Sequence, residues 1–419
     1  MEDAKVRGGR YEARLVFGKA RMCPHRAFTC PTLLGSPPPP PRGAAGMARP
    51  LGTSVLIGGG GLSGLSLALH LKRAGIPFLL VEARDRLGGR ILSPSLRYGA
   101  EAAAFDAGPA WYWPGQPRMV SLVRSLGLTP FEQHSAGASV HEDERGRVSR
   151  DAWSGSMAGS LRLDGGFGAL VEAMVGELPQ EAILLSHRLT KLCREEGNPS
   201  SRVVAQVSSM GGDVRIMAEC AVLAMPPRVV AQAVDFAGGL PESALGAMGA
   251  VPTWMAGQAK LIATFDRPFW REAGLSGDGI SRRGPLAEIH DASPRSGGPY
   301  ALFGFVATPP DGRRDADALK ADAKAQLVRM YGPGANAPLE IVVKDWAFEE
   351  ETATAGDWGR GRGHPAYGLP RALKGLWDGR LLMGSTEVAW ESGGFLEGAL
   401  EAAEAVMDQL PDEVRRCAA

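Results

Sequence analysis

Gly59, Gly61 and Gly64 fall in the spacing G-x-G-x-x-G, and Glu82 follows 23 residues after the first of them. Those residue types at that spacing can hold a dinucleotide. Gly59 permits a tight turn, Gly61 with Leu62 and Ser63 lets backbone approach a pyrophosphate, and Gly64 lets a helix pack close on a strand. A helix N-terminus at this point faces the phosphate charge, and a carboxylate at Glu82 accepts from a ribose hydroxyl. The surrounding elements are the ones such a site needs. Thr53 to Ile57 is a short apolar, β-rich run. Leu65, Leu67, Leu69 and Leu71 lie in an apolar stretch that stops at Ala74-Gly75, and Phe78 to Val81 reads as a second strand ending at Glu82. Strand, loop, helix, strand and acid together favour dinucleotide binding over a mere glycine turn. The motif alone does not separate FAD from a nicotinamide cofactor.

Other chemistries find little support. The five cysteines (Cys23, Cys30, Cys193, Cys220 and Cys417) include no C-x-x-C pair, and the seven histidines include no H-E-x-x-H. A disulfide framework and a metal site are therefore not expected, and a reducing, cytoplasmic setting is the default. G-x-S-x-G and G-x-x-x-x-G-K-[ST] are absent. Lys+Arg and Asp+Glu both number 46 in 419 residues, so a broad basic field for nucleic acid is not expected. No apolar run is as long as a membrane span. Residues 1–46 stand apart, with eight basic against three acidic residues and a proline run from Pro37 to Pro41. They read either as a targeting segment or as an upstream extension before a start at Met47. The extension is favoured because a transit peptide should be amphipathic, and either reading predicts a disordered leader.

After Glu82 the chain continues Ala83-Arg84-Asp85-Arg86-Leu87-Gly88-Gly89-Arg90. This E-A-R-D-R-x-G-G-R resembles the second dinucleotide signature of the flavin-containing amine oxidase family. The resemblance implies that Gly88 and Gly89 bring backbone to an FAD pyrophosphate and that Arg84 and Arg90 add positive charge. Phe105 to Trp111 is similar to the family's F-D-x-G-x-x-W/Y loop, which would put Gly108, Pro109 and Trp111 by the flavin. Ala221 to Pro227 reads as a strand stopped by two prolines, after a small hairpin or meander over Val203–Val207 and Val214–Met217. Gln258 to Trp270 resembles the family's K-x-x-x-x-[FY]-x-x-P-F-W segment. Lys260 then matches a lysine that holds a water near flavin N5 in many members. Strand alternation sets Lys260, Ile262 and Thr264 on one face.

The C-terminal part carries the same resemblance. Arg380 to Glu387 reads as a strand entering a loop that contains Gly384, Ser385, Thr386 and Glu387. Gly393-Gly394-Phe395-Leu396 then opens a helix with an apolar stripe through Ala399, Leu400, Ala403, Val406, Met407 and Leu410. In the family this helix points its N-terminus at the flavin N1–C2=O edge. The implied cofactor-binding set is Gly59, Gly61, Leu62, Ser63, Gly64, Glu82, Ala83, Arg84, Gly88, Gly89, Arg90, Gly108, Pro109, Gly384, Glu387, Gly394, Phe395 and Leu396. Lys260 is the implied catalytic residue. Phe395 stands where monoamine oxidases have a tyrosine of the aromatic cage, with Trp111 beside it and Trp358 or Tyr367 as the second wall.

Three departures from the family pattern matter. No cysteine lies between Cys220 and Cys417, so FAD is expected to be noncovalent. Gly58 replaces an aliphatic residue and should loosen the first strand. The substrate domain is short, which leaves the pocket open or completed by a second copy in a homodimer.

The implied fold is α/β: a Rossmann-type FAD-binding domain, glutathione-reductase-like, with a second substrate domain of mixed sheet plus helices. The FAD domain would use 47–110, 160–250 and 370–407. The substrate domain would use 111–159 and 251–369, with a tail at 408–419. The implied activity is oxidation of an amine C–N bond by hydride transfer to flavin, with dioxygen as acceptor. Two alternatives stand beside it. One is C–C dehydrogenation of the protoporphyrinogen oxidase or carotenoid desaturase kind, which Gly108 to Trp113 resembles. The other is a flavin-binding protein without turnover.

Overall fold

A computed structural model describes residues 51–98, 101–151, 157–195, 202–237, 239–359 and 364–416. The leader, Cys23, Cys30 and Cys417 lie outside the described residues. The described residues belong to one compact unit.

The first run folds as expected: strand β1 (Leu51–Gly58), helix α1 (Leu62–Arg73) and strand β2 (Phe78–Val81). β1 pairs in parallel with β2 on one edge and with strand β3 (Gly212–Leu223) on the other. A strand paired on both edges buries both faces, so its apolar run is continuous. Val55 and Ile57 enter a core with Leu65, Leu69 and Val406, while Leu56 enters the opposite core with Leu223, Val230 and Leu381. The complete sheet has seven strands in the order Arg188–Arg194, Val203–Ser209, β3, β1, β2 and Ile183–Leu184, with Leu381–Met383 also pairing on β3.

β3 is longer than the sequence reading allowed. The second half of the expected hairpin and the strand before Pro226-Pro227 are one element. Its first half pairs antiparallel with Val203–Ser209, and its last three residues pair in parallel with Leu381–Met383. Glu219 interrupts the apolar run, but the pairing with β1 resumes in the same register at Cys220, and that interruption hid the continuity. The expected loosening at Gly58 is also absent. Gly58 pairs with Val81 and with Leu223. A Cβ there would lie 3.1 Å from Leu189 Cδ2, so a neighbouring side chain already fills that space.

The second sheet also has seven strands, in the order Glu340–Asp345, Ala259–Phe265, Tyr300–Val306, Leu286–Asp291, Leu275–Ser281, Ala138–Glu142 and Val148–Asp151. All neighbours are antiparallel except Leu275–Ser281 with Ala138–Glu142, which makes the sheet mixed. We label Ala259–Phe265 β4. Leu261 and Ala263 of β4 pack against Leu319, Ala323 and Leu327 of the helix Ala316–Tyr331. Ile262 faces the other way, onto Phe105, Ala107 and Phe303. That second face fronts the cavity described next. Helix α2 (Leu396–Gln409) packs beside α1 through Ala399, Leu400, Ala403 and Val406. Among the described residues no helix is long and apolar enough to cross a membrane.

Candidate functional site

One cavity of about 960 Å³ collects most of the residues singled out from the sequence. Gly59, Gly61, Leu62, Ser63, Glu82, Ala83, Arg84, Gly88, Gly89, Arg90, Gly108, Pro109, Gly394, Phe395 and Leu396 line it, as do Lys260, Trp111 and Trp358. Gly64, Gly384, Glu387 and Tyr367 do not.

The glycines divide by what a side chain would meet. At Gly64 a Cβ would lie 2.0 Å from the Gly59 carbonyl oxygen, so this residue serves the approach of α1 to the loop. Gly384 does the same behind the site, 2.8 Å from Val222 Cγ1. Gly59 has φ +106, which suits a glycine turn. A Cβ on Gly61 would meet only Gly89 Cα, at 4.0 Å, so its direction is open. Gly61 is the N-cap of α1, which has no side-chain cap and no acidic residue in its first turn, so its leading N–H groups and dipole suit an anion. Ser63 Oγ donates to the Gly384 carbonyl and ties the loop to the C-terminal segment. Ser385 Oγ, on the cavity wall, is buried with no partner. An uncapped helix start, an open glycine and an unpartnered hydroxyl fit a dinucleotide cofactor.

Glu82 is buried, and its carboxylate accepts from Gly60 N at 2.8 Å and from Arg84 N at 2.9 Å. It thus shapes the glycine loop as well as facing the cavity. Arg86 donates to the carbonyls of Leu87, Gly89 and Ile91 and holds the Gly88-Gly89 turn. Arg84 is not a spare cation. Its Nη2 donates to Glu349 Oε2 at 3.1 Å and to Thr352 Oγ1 at 2.9 Å, with Glu351 Oε2 at 3.8 Å. Arg90 Nη2 lies 2.7 Å from Oε1 of the fully buried Glu387.

Lys260 is buried near the start of β4. Its Nζ donates to the Asp106 carbonyl at 2.9 Å and the Gly108 carbonyl at 2.7 Å. It stands 4.1 Å from the Phe303 ring centroid and 5.8 Å from that of Trp111. Burial, with the charge of Arg162, lowers its pKa to about 7 against the opposing pull of Asp106. The loop that receives Lys260 is pinned by Asp106, whose Oδ1 accepts from Ser93 Oγ at 2.6 Å and Phe167 N at 2.8 Å. Trp111 donates from Nε1 to Gln133 Oε1 at 2.8 Å and meets His290 edge-on at 5.0 Å. His290 itself bridges Asp278 (2.7 Å) and Glu288 (2.8 Å).

The ring stacked on Phe395 is that of His364, which the sequence reading did not single out. The two ring centroids are 4.7 Å apart and the planes 2° from parallel. Tyr367 meets His364 edge-on and donates its hydroxyl to the Pro252 carbonyl. Trp358 donates to the Ala347 carbonyl and packs on Phe348. Sequence reading also missed Phe305, Met225, Thr253, Arg313 and Trp346 on the cavity wall. Phe305 was findable, since it pairs directly with Lys260 across the sheet and alternation sets both on one face. Among the described residues no cluster could hold a metal ion.

The family model "Flavin containing amine oxidoreductase" matches residues 62–155 and 142–409. A probable flavin-containing monoamine oxidase A of Dictyostelium discoideum is 23% identical, over 86% of this chain and 98% of its own length. Wild-type putrescine oxidase bound to putrescine superposes with a TM-score of 0.69 at 21% identity, covering 86% of this chain and 99% of its own. Cyclohexylamine oxidase from Brevibacterium oxydans gives 0.66 at 19% identity, covering 87% and 99%. At these identities the two solved structures speak to the fold alone.

Proposed function

The chain belongs to the flavin containing amine oxidoreductase family, and on that footing we propose that it binds FAD noncovalently and oxidises the C–N bond of an amine, with dioxygen as acceptor. It is an oxidoreductase with a flavin cofactor; the amine, the acceptor and the mode of attachment are the reading offered here. The observation that carries it is the position of Lys260. Its amine is held on the Asp106 and Gly108 carbonyls, on the wall of a cavity also lined by the glycine loop and the start of α2.

The glycine loop and α1 would hold the pyrophosphate, Glu82 the ribose, and the start of α2 the flavin end. When bound there, the flavin supplies a hydride acceptor that no side chain can replace. The protein's part is to bind, orient and exclude water. Trp111, Phe305 and Trp346 give the reacting region apolar walls. Two carbonyls fix the Lys260 nitrogen, so its remaining valence is directed and can hold a water or carry a proton. With a pKa of about 7 it can do either near neutrality. The substrate amine becomes an imine, which water hydrolyses, and dioxygen leaves as hydrogen peroxide. In this reading 47–110, 160–250 and 370–407 form the FAD domain and 111–159 with 251–369 the substrate domain.

The test is the visible spectrum of the purified protein before and after acid precipitation, followed by anaerobic titration with a panel of amines and a peroxide assay in air. Flavin in the supernatant, bleached by an amine and restored by air with peroxide, is the expected result. Flavin that remains in the pellet contradicts noncovalent binding. Flavin that no amine reduces removes the activity.

A further inference from the structure

The end of the cavity beside Glu82 is bordered by three separate segments: Glu82 to Arg84 after β2, His187 to Leu189, and Glu351-Thr352. These segments are joined by charge. Arg84 donates to Glu349 and Thr352 and lies near Glu351, while Arg188 pairs with Glu351 and Lys344 with Glu349. Glu349 and Arg84 are 265 residues apart in the chain. Three cations (Arg84, Arg188, Lys344) face three carboxylates (Glu82, Glu349, Glu351), so the group is neutral when intact. The pairs are partly buried, with side-chain exposures from 5% at Glu82 to 40% at Arg188. Such pairs are screened less than fully exposed ones, yet water and salt still reach them.

We propose that Glu349 and Glu351 are positioning residues that latch the 349–352 segment to Arg84 and Arg188, and that this latch retains the nucleotide end of the cofactor. The inference rests on the reading that FAD lies with its adenosine toward Glu82. The two glutamates hold in place the arginines that border that end. Opening the pairs frees both arginines and the 349–352 segment together, and the nucleotide leaves past them.

The experiment follows FAD release from the holoprotein by the rise in free flavin fluorescence after dilution, at low and high salt. Partly exposed pairs are individually weak but act here as a set, so losing the set should speed release by about tenfold. The double variant Glu349→Gln with Glu351→Gln is expected to release FAD about that much faster at low salt. The gap from wild type should close at high salt, where the native pairs are screened. A charge-reversed pair, Arg188→Glu with Glu351→Arg, should recover part of the retention that either single reversal loses. A double variant that releases FAD at the wild-type rate overturns the latch. So does one whose excess rate is the same at both salt concentrations, because that marks a general loss of packing. Protein that binds no FAD removes the functional reading and the latch together, whereas FAD bound and released equally by both proteins removes the latch alone.

Discussion

The Lys260 nitrogen lies 2.7 Å from the Gly108 carbonyl oxygen, joining the second sheet to the loop that borders the glycine-rich end of the cavity. Gly108 has no room for a side chain, since a Cβ there would lie 1.9 Å from the Arg90 carbonyl oxygen. One short contact thus sets Lys260, the 106–108 turn and the Gly88 to Arg90 turn relative to each other.

That burial has a pH signature. The Lys260 pKa falls from 10.5 to about 7 in the folded protein. Between those values the unfolded chain binds more protons than the folded one, so stability rises with pH across that window. Below about 7 both states carry the proton and the folded state bears the full cost of burying it. Lys260→Met removes this dependence. Urea unfolding of the wild type and the variant at pH 7 and pH 10 should show the wild type gaining on the variant at the higher pH. A difference that stays constant between the two would contradict a buried, proton-shedding lysine.

Two glycines of the G-x-G-x-x-G motif, Gly61 and Gly64, should fail differently. Gly64→Ala places a methyl 2.0 Å from a backbone oxygen that cannot swing away, so it should cost about 1–3 kcal/mol of apoprotein stability. Gly61→Ala meets nothing closer than 4.0 Å and has an ordinary negative φ of −74°. Its apoprotein should melt at the wild-type temperature, while its affinity for FAD should fall. Thermal melts of the apoproteins and fluorescence titration with FAD separate the two.

Local order was legible where a local rule produced it. The β1, α1, β2 run could be read because glycine spacing, an apolar run and a helix stop all act within a few residues. Lys260 could be set on a face because strand alternation has period two. What escaped was long-range. Nothing near Arg84 announces that Glu349 will neutralise it or that Thr352 will accept from it. Nothing in the stripe of α2 shows that Glu397 will accept from Arg118 N and Met119 N, 279 and 278 residues away, and so cap the helix Pro117–Ser125. His364 sits in a loop with no period, so its stacking on Phe395 left no trace in the sequence. Such pairings are set by the packing of the two sheets, which no single window contains.

His290 gives a pH dependence opposite to that of Lys260. Burial pulls its pKa down, but the hydrogen bonds that the imidazolium donates to Asp278 and Glu288 outweigh that and leave it raised. A raised histidine contributes stability that is complete below the unfolded value of about 6.5 and is lost as pH rises through the folded value. His290→Gln should therefore cost about 1–3 kcal/mol near pH 5.5 and clearly less at a pH above the folded value of this histidine. Trp111 touches the His290 ring, so its fluorescence reports the unfolding and, in the native state, the change of contact. Equal losses at both pH values would show that the imidazolium is not what the two carboxylates hold.

The stack of His364 on Phe395 bears on which amines enter. Parallel rings with centroids 4.7 Å apart leave no room for a third group between them. The face of Phe395 turned to His364 is therefore closed to substrate. His364 is in turn fixed by edge contacts with Trp254 at 4.8 Å and Tyr367 at 5.4 Å. His364→Ala removes the covering ring and leaves those two side chains facing an opened space beside Phe395. The variant should gain on bulky arylalkylamines relative to small alkylamines, raising the ratio of their kcat/KM values by about tenfold, the scale of one added apolar contact. Phe395→Ala should lower both values, because it takes away the wall itself. Steady-state rates with benzylamine and butylamine for the three proteins provide the comparison. A ratio unmoved by His364→Ala would mean that substrate never approaches this side of Phe395, and the amine would have to enter along the Trp111 and Phe305 wall.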